Sequence, residues 1–132
     1  MPNINTRKIS EIMDRKLVAI SNTTTIRSAL NLVKTSNVGI IPVLANGRLV
    51  GMVDETELLL FAASHKEEDH SVGVDRLIKS PIFVEQNDTI ATAIKTALDH
   101  DMQRLPVVDS LAGMRCVGLI STTELLKEAA GK

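Results

Sequence analysis

Residues 104–125 read RLPVVDSLAGMRCVGLISTTEL, and residues 40–58 read IIPVLANGRLVGMVDETEL. The second copy carries three extra residues in its middle, and the match continues upstream of both stretches. The aligned identities are Thr25-Ile26 with Thr89-Ile90, Ala29 with Ala93, Pro42-Val43 with Pro106-Val107, Val50-Gly51 with Val117-Gly118, and Thr56–Leu59 with Thr123–Leu126. A duplicated unit usually buries its apolar face against its copy, so we expect two related halves that share a core.

Each copy predicts the order helix, strand, helix, strand, strand, helix, which is an α/β (α+β) fold. The long helix of each copy has apolar residues at i, i+3, i+4 and i+7, which is the pattern of one buried helix face. These residues are Ile26, Ala29, Leu30 and Val33 in the first copy, and Ile90, Ala93, Ile94 and Ala97 in the second. Asn46-Gly47 predicts a two-residue hairpin, because both residues tolerate a positive φ. Short strands are expected over residues 17–20 and 81–84, each after a short helix.

The prolines and the charged stretch define the expected boundaries. Pro42 and Pro106 cannot donate to a ladder, so their strands are predicted to lie at a sheet edge or to stop pairing there. Residues 64–71 read SHKEEDHS and are interpreted as a solvated linker. The predicted domains are therefore 1–63, the linker 64–71, and 72–132, which together form one module.

Composition restricts the function. The net charge of −1 argues against a large nucleic-acid surface, which needs clustered Lys and Arg. No apolar run approaches the ~20 residues of a membrane span, so a cytoplasmic protein without a membrane partner is expected. The single Cys116 cannot form an internal disulfide and is interpreted as a buried thiol. Neither a phosphate-binding glycine-rich loop nor a nucleophile–base pair can be argued, so we expect no catalysis.

The chain resembles a tandem pair of cystathionine-β-synthase (CBS) domains, also called a Bateman module. The resemblance rests on three motifs that occur in order in both copies: Thr24–Ile26 and Asp88–Ile90, Ile40–Leu44 and Arg104–Asp109, Gly51–Leu58 and Gly118–Leu125. It implies two repeats packed about a pseudo-twofold axis, frequent homodimers, and a regulatory role signalled to an effector protein. It also implies binding of an adenosine-containing ligand, namely AMP, ADP, ATP or S-adenosylmethionine, in clefts between the repeats. The ligand is regulatory, and no catalytic cofactor or metal is expected.

The family's ligand signature is Gly-apolar-apolar-[Ser/Thr]-x-x-Asp, in which the hydroxyl and the helix start meet a phosphate and the carboxylate takes the ribose. The second copy matches with Ser121 and with Glu124 in place of Asp, and Arg104 is the best-placed phosphate partner because a guanidinium forms a bidentate fork. The candidate ligand residues are Ser80, Pro81, Ile82, Arg104, Leu105, Pro106, Ser121, Thr123 and Glu124.

The first copy departs further, since Asp54 stands where the hydroxyl belongs and Ile40 where the arginine belongs. A carboxylate there would repel a phosphate, so we expect this cleft to be empty or to take a ligand without phosphate. Its weaker candidates are Leu17, Val18, Ile41, Pro42, Asp54 and Glu57.

A second interpretation remains open at this point. Ser121-x-x-Glu124 also has the form of a capping box, and Asp54 is a good N-cap. In that case the chain is a structural dimerisation or interaction module with degenerate clefts. The cluster from His65 to His70 matches no strong metal-ligand spacing, and we interpret it as linker.

Overall fold

The structure, a computed structural model, describes residues 3–36 and 39–131. The helices are α1 (Ile26–Ser36), α2 (Glu55–Ser64), α3 (Ile90–Asp99) and α4 (Thr122–Ala129). The strands are β1 (Ile20–Ser21), β2 (Ile40–Ala45), β3 (Arg48–Asp54), β4 (Val84–Glu85), β5 (Arg104–Val108) and β6 (Cys116–Ser121). Short 3₁₀ turns cover Ile9–Glu11, Glu67–Ser71 and Val74–Leu77. The mixed α/β class predicted from the repeat is confirmed.

Each repeat contributes one three-stranded sheet. The strand orders are β1-β2-β3 and β4-β5-β6, in which the first pair of each sheet is parallel and the second pair is antiparallel. The first strand of each copy is shorter and later than predicted, because only Ile20–Ser21 and Val84–Glu85 make ladder contacts. The expected opening helices are 3₁₀ turns.

The chain forms two compact units that do not follow the order of the repeats. The continuous unit is Val18–Pro81, and the split unit combines Met1–Leu17 with Ile82–Lys132. The opening turn of each repeat therefore belongs to the unit that contains the other repeat's sheet.

Backbone hydrogen bonds hold the opening segment in the split unit. The Asp14 N–H donates to the Leu119 carbonyl and the Leu119 N–H donates to the Asp14 carbonyl, both at 2.8 Å. This pair forms a one-residue antiparallel bridge to β6. Ile9 is fully buried, and its N–H donates to the Asp88 carbonyl at 2.9 Å. Arg7 also forms an ion pair with the buried Glu128 of α4. The N-terminal segment is thus part of the core of the second repeat.

Backbone hydrogen bonds hold the opening segment of the second repeat in the continuous unit in the same way. Met52 and Lys79 bond in both directions at 3.0 and 2.9 Å, and the Val74 N–H donates to the Thr24 carbonyl at 2.8 Å. Val74 is fully buried in this unit's aliphatic cluster. The segment that opens the second repeat is therefore packed on the sheet of the first.

The expected edge position of the proline strands is wrong, because β2 and β5 are the central strands. Pro42 lies opposite Met52, whose N–H and C=O both point to Lys79 on the far side of β3. Pro42 therefore occupies a non-hydrogen-bonded position of the β2–β3 ladder, where its missing N–H removes no bond. On the other side of β2, pairing with β1 starts only at Val43. The same arrangement holds at Pro106.

The first hairpin has the turn that its sequence predicts. Asn46 has φ 53° and Gly47 has φ 81°, which are the left-handed values of a type I′ turn. The longer second hairpin is closed by Asp109, whose Oδ1 accepts from the N–H groups of Ser110 at 2.7 Å and Arg115 at 3.0 Å. No helix among the described residues has the length and apolar character needed to cross a membrane.

Replacing Gly51 should destabilise the fold. A Cβ at Gly51 would lie 2.8 Å from the Lys79 carbonyl oxygen and would collide with the Ile78 side chain. We expect Gly51→Ala to lower the free energy of unfolding by about 1–3 kcal/mol, the usual range for overpacking. Urea denaturation measures this, with Gly73→Ala as the control, because the atom nearest to its Cβ belongs to the flexible Asp75 carboxylate. Equal stability of the Gly51→Ala and Gly73→Ala variants would contradict the close approach of the Lys79 carbonyl and the Ile78 side chain to Gly51 in β3.

Cys116 should react with thiol reagents only after unfolding. The side chain is 8% exposed, and burial raises the pKa of its thiol, although backbone hydrogen bonds of Gly118 and Val107 oppose this rise. Since the thiolate is the reactive form, labelling with a disulfide reagent at pH 8 should be slow in buffer and rapid in denaturant. Rapid labelling of the folded protein would show that β6 opens locally.

Candidate functional site

The start of β5 and the end of β6 bring the best second-copy candidates together. Arg104 lies directly opposite Ser121 in the antiparallel register, so both side chains project from the same face of the sheet. The Thr122 N–H donates to the Gln103 carbonyl at 2.9 Å, which fixes the start of α4 beside the start of β5. Arg104 is exposed and Ser121 is half-buried. We call Arg104, Ser121, Thr123 and Glu124 the β5–α4 site.

Ser121 is the N-cap of α4. It has φ −104° and ψ 154°, and its Oγ accepts the Glu124 N–H at 3.2 Å. Within the described part of the chain, the reciprocal bond from the Glu124 carboxylate to the Ser121 N–H is not formed, so only half of the predicted capping box is present. Since the Thr122 N–H is paired with the Gln103 carbonyl and the Glu124 N–H with the Ser121 Oγ, the start of this helix combines an exposed cation with a hydroxyl and with the Thr123 N–H.

The other second-copy candidates have different surroundings. Leu105 is fully buried and Pro106 is buried, so both belong to the core of the split unit. Ile82 is half-buried at the beginning of the same unit. Ser80 and Pro81 end the continuous unit.

In the first copy, the neutral Ile40 stands at the position of Arg104, and the carboxylate of Asp54 stands at the position of Ser121. Ile40 lies opposite Asp54, and Asp54 caps α2 by accepting the Thr56 N–H at 2.8 Å. Glu55 accepts the Gly39 N–H at 3.2 Å, also in the first turn of α2. We call Ile40, Asp54 and Glu57 the β2–α2 site.

Glu57 of the β2–α2 site is neutralised within the protein. Its Oε1 lies 3.3 Å from Nζ of Lys79, on the segment that opens the second repeat. Lys79 therefore pairs with a carboxylate of the continuous unit. The remaining first-copy candidates are divided between the two units. Leu17 belongs to the split unit, and Val18 belongs to the continuous unit. Ile41 and Pro42 are buried in the continuous unit.

The charges of the two sites differ. The β5–α4 site holds the exposed Arg104 guanidinium and the Glu124 carboxylate, whereas the β2–α2 site holds the carboxylates of Asp54 and Glu57. Two unit charges 4 Å apart interact by about 1 kcal/mol in water and about 4 kcal/mol near a protein surface. A phosphate would therefore be attracted by Arg104 and repelled by Asp54.

The expectation that residues 64–71 are entirely solvated is wrong for His70. The His70 side chain is only 9% exposed. In the same segment, the ring of His65 stacks on the ring of Phe61 with their centroids 3.9 Å apart. The i, i+4 spacing between Phe61 of α2 and His65, the C-cap of that helix, was the available sequence signal. No three His, Cys, Asp or Glu side chains among residues 3–36 and 39–131 are grouped as metal ligands would be.

In this chain, two α/β repeats exchange their opening turns. The last helix of each repeat starts at the end of a hairpin strand. These two features define the class of paired-repeat α/β modules. The family model of the CBS domain matches residues 9–64 and again residues 73–131. The chain therefore belongs to the CBS domain family.

Known relatives agree in extent and in fold. The CBS domain-containing protein YhcV of Bacillus subtilis is 26% identical over 125 residues, which is 93% of this chain and 89% of the relative. The CBS domain of a bacterial CNNM/CorC family Mg²⁺ transporter, solved in complex with ATP, superimposes with a TM-score of 0.79 at 24% identity and covers 98% and 91% of the two chains. The CBS domain pair of protein MJ0100, solved with 5′-methylthioadenosine and S-adenosyl-L-methionine, has a TM-score of 0.75 at 15% identity and covers 96% and 98%.

Proposed function

We propose that this protein is a regulatory module that binds an adenosine-containing ligand at the β5–α4 site and signals its occupancy to a partner protein. The observation that carries the proposal is the placement of Arg104 opposite Ser121 at the start of α4. Relatives of the same fold support the ligand class, since one was solved with ATP and another with S-adenosyl-L-methionine. The proposed ligands are AMP, ADP, ATP and S-adenosylmethionine.

Each polar group of the site has a chemical role in this proposal. The Arg104 guanidinium offers a bidentate, charge-assisted fork to a phosphate. The hydroxyls of Ser121 and Thr123 and the Thr123 N–H donate to the same group, where the helix dipole favours negative charge. The Glu124 carboxylate accepts two hydrogen bonds from the ribose diol. The backbone beside Ile82 reads the adenine edge.

Occupancy acts through differential affinity. A ligand shifts a conformational equilibrium only as far as it binds one arrangement more tightly than the other. The proposal assigns no catalytic step to the chain, and it places the module in the cytoplasm with the output in a separate effector protein.

A homodimer is the proposed assembly, and an apolar face of the split unit supports it. Leu98 is 75% exposed and Leu126 is 70% exposed. They border an apolar cavity of about 150 Å³ between α3 and α4, which Ile94, Ala97, Leu125 and Ala129 also line. A second copy of the chain, which presents the same apolar face, is the proposed occupant.

Charge on that face should break the dimer. We expect Leu98→Glu with Leu126→Glu to sediment as a monomer at a concentration where the wild type sediments as a dimer, because two desolvated carboxylates oppose association. Leu111→Glu is the control, since this leucine is 66% exposed in the second hairpin. A dimeric double variant would place the interface elsewhere.

One observation favours a second candidate function. The Ser121 Oγ is already used by the Glu124 N–H, so capping alone accounts for the serine. In this alternative the chain is a structural dimerisation or protein-interaction module that binds no nucleotide.

Thermal unfolding with a ligand panel separates the two functions. The panel contains AMP, ADP, ATP, S-adenosylmethionine, NAD and GTP, and the proteins are the wild type, Arg104→Gln and the exposed control Arg115→Gln. A ligand at 100 times its Kd adds about 2.7 kcal/mol, which raises the Tm by several degrees. We expect a shift with an adenosine ligand that Arg115→Gln retains and Arg104→Gln loses in large part. No shift with any ligand, in protein purified free of nucleotide, would favour the structural module.

A further inference from the structure

A groove of about 570 Å³ lies in the continuous unit, away from the β2–α2 site. It is bounded by the first two turns of α1, the end of α2 and the turn Glu67–Ser71. Its lining residues are Arg27, Leu30, Asn31, Ala62, His65, Glu67 and His70. The volume falls within the range of small-molecule sites.

Arg27 supplies a positive charge that the protein holds in place. Its Nη2 donates to the main-chain carbonyl of Glu67 at 2.7 Å. A carbonyl carries no net charge, so the bond positions the guanidinium without neutralising it. This bond takes one of the five N–H donors of the guanidinium, whose planar fork is suited to a carboxylate or phosphate. The Glu67 side chain itself is exposed.

The opposite wall is rigid and partly apolar. The His65 ring is stacked on Phe61 within 8° of parallel, and its Nδ1 bonds to the Phe61 carbonyl at 3.0 Å. Nε2 of the buried His70 bonds to the His65 carbonyl at 3.2 Å. A carbonyl only accepts, so both nitrogens carry hydrogen, and both rings are held in one orientation. Leu30 and Ala62 complete the wall with aliphatic surface.

We propose that this groove is a second ligand site, which binds a small organic anion with a carboxylate or phosphate group at Arg27 and an apolar body against Leu30, Ala62 and the His65 ring. The groove shares no residue with the β5–α4 site, because all of its residues lie in the continuous unit and the β5–α4 site lies in the split unit.

Imidazole NMR signals test the proposal directly, because the chain has three histidines. Two of them line the groove, and His100, at the end of α3 in the split unit, serves as an internal reference. The probes are benzoate, phenyl phosphate and the neutral benzamide. We expect saturable shifts of His65 and His70 with at least one anion and no shift of His100, and the comparison of the two anions identifies the preferred group.

Variants identify the contacts. Arg27→Gln should weaken anion binding about tenfold, the equivalent of one lost charge-assisted hydrogen bond. Ala62→Leu should weaken it by filling the groove without a change in charge. Arg76→Gln, which removes an exposed arginine of the same unit that does not line the groove, should bind as the wild type does. Unsaturable shifts, equal shifts at all three histidines, binding of benzamide as tight as that of the preferred anion, or full binding of that anion by Arg27→Gln would each overturn the proposal.

Discussion

Nucleotide binding should be lost when the β5–α4 site receives the residues of the β2–α2 site. The variant Arg104→Ile with Ser121→Asp reproduces the pair Ile40 and Asp54 of the first copy. It removes charge-assisted hydrogen bonds worth about 1.5–3 kcal/mol and adds a carboxylate that repels the phosphate by about 1 kcal/mol or more. The Kd should therefore rise at least about a hundredfold.

The exchange is a test of binding because it leaves the fold unchanged. Asp and Ser are equally good N-caps, so α4 keeps its start when Ser121 becomes Asp. Isothermal titration gives the Kd, and the melting temperature of the ligand-free variant confirms that it is folded. The control exchanges the first copy, Ile40→Arg with Asp54→Ser, and it should bind at the β5–α4 site as the wild type does. Unchanged affinity in the Arg104 and Ser121 variant would rule out this site.

Truncating Ile9 should cost the protein a large part of its stability. Ile9 is fully buried in the split unit, although 74 residues of chain, 10–83, lie between it and β4, the first strand of that unit's sheet. Ile→Ala in a core costs about 2–5 kcal/mol, against a total stability of about 5–15 kcal/mol for a domain.

Urea denaturation followed by far-UV circular dichroism measures this loss, since the chain has neither Trp nor Tyr. The control is Leu111→Ala, which removes an exposed side chain and should change the stability by no more than about 0.5 kcal/mol. A loss below about 1 kcal/mol for Ile9→Ala would mean that the opening segment is not part of the second repeat's core.

The sequence predicted local structure well because local patterns have local causes. The apolar spacing of α1 and α3 follows from helix periodicity, and the left-handed φ values of Asn46 and Gly47 follow from their residue types. The mixed α/β class followed from the order of these elements. The duplication itself was visible as aligned identities.

The exchange of opening turns could not be predicted in the same way. Asp14 pairs with Leu119 through main-chain atoms, which no side-chain pattern records. The central position of β2 was missed for a similar reason, because the ladder register decides whether Pro42 removes a hydrogen bond.

The candidate site was only partly predictable. The helix start at Ser121 and the charge at Arg104 were read from the sequence, but their direct opposition depends on the register of β5 and β6. The full burial of Leu105, one of the candidate ligand residues, likewise depends on tertiary packing. The cluster of Phe61, His65 and His70 was missed because a run of charged residues between them resembles a linker.

The structure of the protein crystallised with ATP tests the central claim most directly. We expect one nucleotide per chain, with a phosphate within hydrogen-bond distance of the Arg104 guanidinium and the Ser121 hydroxyl and with the ribose at Glu124. A phosphate seated against Asp54 would contradict the account, as would crystals grown at saturating ATP with no nucleotide at the start of α4.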